Sequence, residues 1–281
     1  MRETYKIDLR DYQLFVFDID GTLCGQDHRI MPTTRKTLFR LRDAGYRFTL
    51  ATGKSLPGTI AQADILEIDL PMVLINGAIL QKRNGDVLYA DTLPESIVYR
   101  VIAMCEQRGS DLVMYAGELI YFKKMNANIA PVYGHLTMGM HAVHEWDTIS
   151  ERLNTINKCL VVDTTSPKNL IEIGKEFENT FEDTVDVLHT SAVLVEVMPK
   201  GINKLKGIKQ LADRLDIPLS SVMSFGDYDN DVEMLAGTGL GVAVGNASKR
   251  AKTAADLIIG SVDEQGPARF LADLLDRLSE S

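Results

Sequence analysis

Short apolar runs that stop at polar or glycine-bearing turns recur along the chain, and the segments between them carry helical spacing. Residues 14–17 form one such run, closed by Asp18-Ile19-Asp20-Gly21-Thr22. Residues 47–51 form a second, ending at Thr52-Gly53-Lys54-Ser55, and residues 72–75 a third, ending at Asn76-Gly77-Ala78. Runs of four to eight apolar residues bounded by turn residues predict buried strands. Between the first two, residues 33–44 place Leu38 and Leu41 on one helical face, with Gly45 as a stop. Strands alternating with helices predict a parallel, doubly wound α/β sheet.

From about residue 80 the rhythm changes. Arg83-Asn84-Gly85-Asp86 separates two apolar runs, and Asn-Gly is a strong hairpin signal. A helix over 95–108 follows, then strands near 112–115 and 119–122. Residues 126–144 fit neither period. A strand at 158–163, a helix over 168–178 and strands at 185–189 and 192–197 complete an α+β insert. After Pro199 the first rhythm returns. The helix reaching Leu215 carries Leu205, Ile208, Leu211, Ala212 and Leu215 on one face, and the strand at 222–225 ends in Gly226-Asp227-Tyr228-Asp229-Asn230-Asp231. The expected fold is therefore α/β, a Rossmann-like core over residues 1–82 and 191–281 split by an inserted domain at 83–190.

Composition narrows the class without naming a function. With 281 residues, 45% of them hydrophobic and 25% charged, the chain has the makeup of a globular protein with a sizeable core. A net charge of −9 and the lack of a basic stripe argue against nucleic acid as a partner. An anionic substrate would then have to be drawn in by local cations or a metal. The first eight residues contain no apolar signal-type core, and no apolar stretch is long enough to span a bilayer, so no membrane association is expected. Cys24, Cys105 and Cys159 are odd in number and form no C-x-x-C pair, which suits reduced thiols in a cytoplasmic setting.

The strand ends carry the candidate chemistry. In an extended chain residues i and i+2 share a side, so Asp18 and Asp20 are expected to project together where ligands bind open α/β sheets. Two adjacent carboxylates repel unless a proton or cation sits between them, and a hard divalent ion such as Mg²⁺ suits an all-oxygen site beside phosphate. Read by itself, Asp-x-Asp-Gly is equally a polar turn, and Thr52-Gly53 an ordinary strand-to-helix turn with Ser55 as cap. Thr52 brings a hydroxyl donor, and Gly53 allows close backbone approach.

Taken together, Asp18-Ile19-Asp20-Gly21-Thr22, Thr52-Gly53, a lysine near 204 and Gly226-Asp227 followed by Asn230-Asp231 resemble the four ordered motifs of the haloacid dehalogenase superfamily. Asn76-Gly77-Ala78, Pro199-Lys200-Gly201 and the position of the insert are similar to its Cof-type branch, which carries a class IIB (C2B) cap. The resemblance covers nearly the whole chain. It implies a Mg²⁺-dependent phosphatase of small phosphorylated metabolites, sugar phosphates among them, whose cap closes over the site and selects the leaving group. It further implies that Asp18 is the nucleophile, forming an aspartyl-phosphate, and that Asp20 is the general acid and base. The metal would fall to Asp18, Asp20 through its main-chain carbonyl, and Asp227, with Asp231 in or near the set. Thr52, Gly53, Lys204 and Asn230 would bind the phosphoryl group.

The chain departs from the family pattern at two places. Lys54 stands where arginine often follows Thr-Gly, which removes a bidentate fork. Lys204-Leu205-Lys206-Gly207 offers two lysines about 200° apart on a helix, so only one faces the site. Lys204 keeps the family spacing and is the expected one. His141, His144 and Glu145 lack further clustered ligands and read as surface or packing residues, as Cys24 reads as a packed thiol. A phosphomutase on the same capped core is the competing enzymatic reading, and a non-catalytic phosphate-ligand binder a more distant one, since a binder needs no second carboxylate at Asp20.

Overall fold

The computed structural model describes residues 7–25, 27–134, 138–191 and 193–280. In chain order it begins with β1 (Leu14–Phe17), α1 (Pro32–Asp43), β2 (Arg47–Leu50), α2 (Leu56–Ile65), β3 (Met72–Leu74), β4 (Ile79–Gln81) and β5 (Val87–Ala90). There follow α3 (Glu95–Arg108), β6 (Asp111–Ala116), β7 (Leu119–Phe122), α4 (Ile129–Tyr133), β8 (Met140–Ala142), β9 (Lys158–Val162), α5 (Pro167–Phe181), β10 (Val185–Ser191) and β11 (Leu194–Pro199). The chain closes with α6 (Lys204–Arg214), β12 (Val222–Gly226), α7 (Val232–Gly237), β13 (Leu240–Ala243), α8 (Lys249–Ala254), β14 (Leu257–Ile258) and α9 (Gly266–Glu280).

Two compact units result. One comprises residues 1–53, 59–88 and 203–281, and the other 54–58 and 89–202. The first is built on a five-stranded parallel sheet of order β14-β13-β12-β1-β2. Its interior strand β1, between β12 and β2, is apolar at all four positions and buried at all four, as a strand covered on both faces must be. Each such side chain withdrawn from water contributes roughly 1.5–3 kcal/mol. Phe17 and Phe225, paired in register, stack at 4.5 Å beneath the strand ends.

The third apolar run departs from the expected parallel sheet. β3 joins it only through one parallel bridge, Ala51 to Val73, and otherwise pairs antiparallel with β4 in a separate sheet of order β3-β4-β5. The turn after it explains why. Ile75, Asn76 and Gly77 all have positive φ, 49°, 52° and 97°, so the chain doubles back instead of entering a crossover helix. A Cβ on Gly77 would lie 2.1 Å from the Asn203 carbonyl oxygen, so only glycine admits α6 this close.

The second unit carries a six-stranded sheet of order β10-β11-β9-β6-β7-β8, antiparallel except for the β7–β8 pair. One face packs α3 and α5 through Val98, Val101, Ile173 and Phe177 against Met114, Cys159, Val161 and Val197. The boundary at 191 drawn from the sequence differs from this arrangement. β11 is hydrogen-bonded between β9 and β10, so the second unit runs on to residue 202; its main segment starts at 89 rather than 83, and residues 54–58, expected in the core, belong to it as well. The segment that fitted neither period holds only α4 and β8 among its described residues; residues 135–137 lie outside them.

Candidate active site

Parallel register carries the carboxylates to one place. Phe17 and Phe225 are partners on β1 and β12, and the Asp18 N–H donates to the Phe225 carbonyl at 2.9 Å, so both chains leave the sheet at the same level. Asp18, Asp227 and Asp231 each present an oxygen within 4.8 Å of the others. Gly21 allows this crowding. Its φ is +83°, and a Cβ there would lie 2.1 Å from Asp227 Oδ2. The Thr22 hydroxyl donates to Asp227 Oδ1 at 3.3 Å. The Asn246 amide donates to the Gly21 carbonyl and the Ser248 N–H to the Asp227 carbonyl, so the third loop of the sheet braces the first two.

Lys204 is fully buried at the first turn of α6 and donates to Asp18 Oδ1 at 2.5 Å and to Asp231 Oδ1 at 2.6 Å. Asp231 uses its other oxygen to accept the N–H groups of Asp227 and Tyr228, at 2.8 and 2.9 Å. Lys206 does not share this position. Its N–H is capped by the Asn203 side chain, and its side chain is half-buried. The helix thus turns Lys204, not Lys206, toward the aspartates.

The charges do not balance. Three carboxylates face one lysine. Burial would lower the lysine's pKa, but Asp18 and Asp231 outweigh it and hold Lys204 firmly protonated. Burial drives Asp18 well above the usual carboxylate range, opposed by Lys204 and reinforced by Asp231 and Asp227. Asp227 is raised to about 6, by burial first and then by Asp231. A set of hard oxygen donors, two buried and one half-buried, with surplus negative charge is the donor chemistry that Mg²⁺ takes. Among the described residues no other group of three or more metal-ligating side chains gathers. Glu145 is instead paired with Lys123 at 2.7 Å, and the His141 ring lies beside Tyr121.

Asp20 lies in different surroundings from Asp18, although only Ile19 separates them. Asp18 is buried, whereas the Asp20 side chain is 38% exposed, and its Oδ1 sits 2.8 Å from His28 Nδ1. Thr52 is buried after β2; its N–H donates to the Val73 carbonyl, and its carbonyl accepts from Asn76 N–H. The Asn230 amide donates to Asn76 Oδ1 at 3.0 Å, and a Cβ on Gly53 would stand 2.9 Å from that same oxygen. Asn76 therefore lies between the second and fourth motifs. Its left-handed backbone was announced only by an Asn-Gly dipeptide, and His28 by nothing periodic at all.

Fold and motif order define the class. The family model of haloacid dehalogenase-like hydrolases matches residues 15–271, and the chain belongs to that family as one of its phosphatases. It is 30% identical over 266 residues to a HMP-PP phosphatase of Yersinia pseudotuberculosis, covering 92% of this chain and 94% of that protein. A haloacid dehalogenase-like hydrolase from Bacteroides thetaiotaomicron superposes with a TM-score of 0.85 at 26% identity, over 94% of this chain and 99% of that one. A subclass IIB sugar phosphatase superposes at 0.78 with 25% identity, over 93% and 98% of the two chains.

Proposed function

We propose that the protein is a Mg²⁺-dependent phosphatase of small phosphorylated metabolites that works through an aspartyl-phosphate on Asp18. The observation that carries this reading is Lys204, a buried cation bonded at once to Asp18 and Asp231 within a surplus of carboxylate. The Asp18 and Asp227 carboxylates and the Asp20 main-chain carbonyl would hold the ion, which neutralises phosphoryl oxygens when bound. Asp231 serves as a brace, both of its oxygens being occupied by Lys204 and the Asp227–Tyr228 turn.

Lys204 fixes one Asp18 oxygen and leaves the other to attack phosphorus in line. The bond to the leaving oxygen breaks as the Asp18–phosphorus bond forms, and Asp20 gives that oxygen its proton. Asp20 then takes a proton from the water that attacks the phosphoenzyme, restoring Asp18 and releasing phosphate. Thr52, the Gly53 backbone and Asn230 orient the phosphoryl oxygens. The substrate class spans what relatives are named for, HMP-PP phosphatase and sugar phosphatase. No apolar helix among the described residues is long enough to cross a membrane, which accords with a metabolite-directed, cytoplasmic role.

The test combines chelation with trapping. Hydrolysis of p-nitrophenyl phosphate is expected to vanish in EDTA and return with Mg²⁺, but poorly with Ca²⁺. Acid-quenched Asp20→Asn is expected to carry one phosphoryl group by intact-protein mass spectrometry, and Asp18→Asn none. Label on Asp18→Asn, or full activity in excess EDTA, overturns the reading.

A further inference from the structure

His28 stands outside the four motifs, yet its ring reaches the carboxylate at their head. The segment that carries it is a small hairpin. Cys24 bridges antiparallel to Ile30, both buried, and Cys24 bridges parallel to Asp20. His28 turns back at its tip with φ 56°, a left-handed conformation uncommon for a non-glycine residue. Two bonds hold the backbone there: the His28 N–H donates to the Gly25 carbonyl at 3.1 Å, and the Gln62 amide of α2 donates to the His28 carbonyl at 3.2 Å. The backbone is thus bonded on both sides of the residue, and the ring is delivered to Asp20 Oδ1 at 2.8 Å.

The two opening aspartates are fixed by different means. Asp18 is buried and locked by Lys204. Asp20, with its side chain 38% exposed, has no comparable burial to hold its rotamer. A carboxylate that exchanges protons with a leaving group works only when aimed, since a displacement of about 1 Å costs on the order of 100-fold. From this geometry we infer that His28 is a positioning residue for Asp20: its imidazole N–H donates to Oδ1 of the Asp20 carboxyl group, whether that group carries its proton or has given it up, and fixes the rotamer. The protonated Asp20 carboxyl gives its proton to the leaving oxygen, and the carboxylate so formed later takes one back from the attacking water. His28 itself neither gains nor loses one. The inference rests on the acid–base reading of Asp20.

The experiment uses the full chain with Mg²⁺ and two probes, p-nitrophenyl phosphate and a hexose phosphate. His28→Gly removes the ring while keeping the left-handed backbone, and His28→Ala is a second deletion. His28→Asn keeps both, because asparagine tolerates this φ and its amide reaches the position of Nδ1. Deletion is expected to lower kcat for the hexose phosphate by roughly 10- to 100-fold, below the roughly 10²–10⁴-fold attributable to the whole proton transfer. The phosphorylation step with the aryl ester, whose leaving group needs no proton, should change little. KM and Mg²⁺ affinity should stay within about twofold, and His28→Asn should restore most of kcat. In an Asp20→Asn background, removing His28 should cost nothing further.

An equal loss from His28→Gly with and without Asp20, or a loss of KM and thermal midpoint without kcat, overturns the inference and leaves the reading of Asp20 intact. If Asp20→Asn itself turns over both probes at the parent rate, that reading has failed, and the inference falls with it.

Discussion

Each unit of the molecule buries a lysine among carboxylates, and the two arrangements differ in their arithmetic. In the first unit Lys204 faces Asp18 and Asp231, with Asp227 close by. In the second, Lys158 of β9 meets Glu196 of β11 at 3.2 Å, with side chains only 4% and 9% exposed. Lys158 also lies 4.5 Å above the Tyr115 ring, whose hydroxyl pairs with that of Tyr133 at 2.7 Å. Burial pulls the Lys158 pKa down, but Glu196 and then Tyr115 more than reverse it. The register explains the setting: Tyr115 pairs with Lys158, and Glu196 with Leu160, on the sheet face opposite the apolar face that packs α3 and α5. That ion pair sets one carboxylate against one lysine. The first cluster is left with surplus negative charge. A buried ion pair alone does not mark a reaction centre, whereas a buried excess of one sign calls for a further charge to be brought in.

The comparison breaks first at Lys204. Lys204→Met is expected to lower kcat by about 10²–10³-fold, the range for losing one preorganised charge at a transition state, while Lys206→Ala stays within about threefold. Steady-state kinetics on both variants, with folding checked by circular dichroism, decides it. The reverse ranking would move the site lysine along α6.

The second unit supplies the next effect, and it is one of stability. Lys158→Met leaves Glu196 buried without its partner and should cost about 3–5 kcal/mol in urea unfolding. Replacing both, Lys158→Met with Glu196→Leu, should recover most of that loss. A Lys158→Met variant of parental stability but without activity would make this cluster part of the reaction centre and erase the contrast.

The smallest effect is a pH dependence of metal linkage. Asp227, raised to about 6, binds more proton in the folded chain than in the unfolded chain between about pH 4 and pH 6. Its contribution to metal-free stability therefore falls as pH rises through that window. Mg²⁺ must displace the same proton, so the thermal shift it produces should be full above about pH 7. It should decline below 6, by up to about 1.4 kcal/mol per pH unit. Differential scanning fluorimetry with and without Mg²⁺ from pH 5 to 8 measures it. A shift independent of pH, or one unchanged in Asp227→Asn, would place the ion elsewhere.

These features were not equally legible in the amino-acid order. β1 and Asp18 could be read because a buried parallel strand is a continuous apolar run and its end an abrupt change to carboxylate. Helical geometry allows only one of Lys204 and Lys206 inward, and the spacing implied by the family resemblance picked out Lys204. The fate of β3 could not be read, since a strand entering a crossover and one turning into a hairpin look alike until the backbone after Leu74 is known. β11 was divided from its sheet because an antiparallel partner far away in sequence leaves no local trace. Asp20 and Asp18 were expected to project to one side from their alternation, but alternation says nothing of burial, and beyond Phe17, where β1 ends, Asp18 is buried while the Asp20 side chain is 38% exposed. His28 reaches Asp20 through a left-handed turn that polarity alone does not encode.

The turn at Ile75-Asn76-Gly77 has a consequence for how this chain can change over generations. Ile75 must adopt a φ of 49° that a β-branched residue resists, and its side chain is fully buried. Glycine would relieve the backbone but empty part of the core, while another bulky residue would fill the core and keep the strain. Asn76 must hold both a left-handed backbone and an oxygen for Asn230, and Gly77 must leave room for the Asn203 carbonyl. Each position answers to two demands that pull toward different amino acids, so almost every single-step substitution loses on one of them. A saturation library across the three should therefore be nearly empty of survivors, a stretch of sequence closed to drift although none of its members performs chemistry.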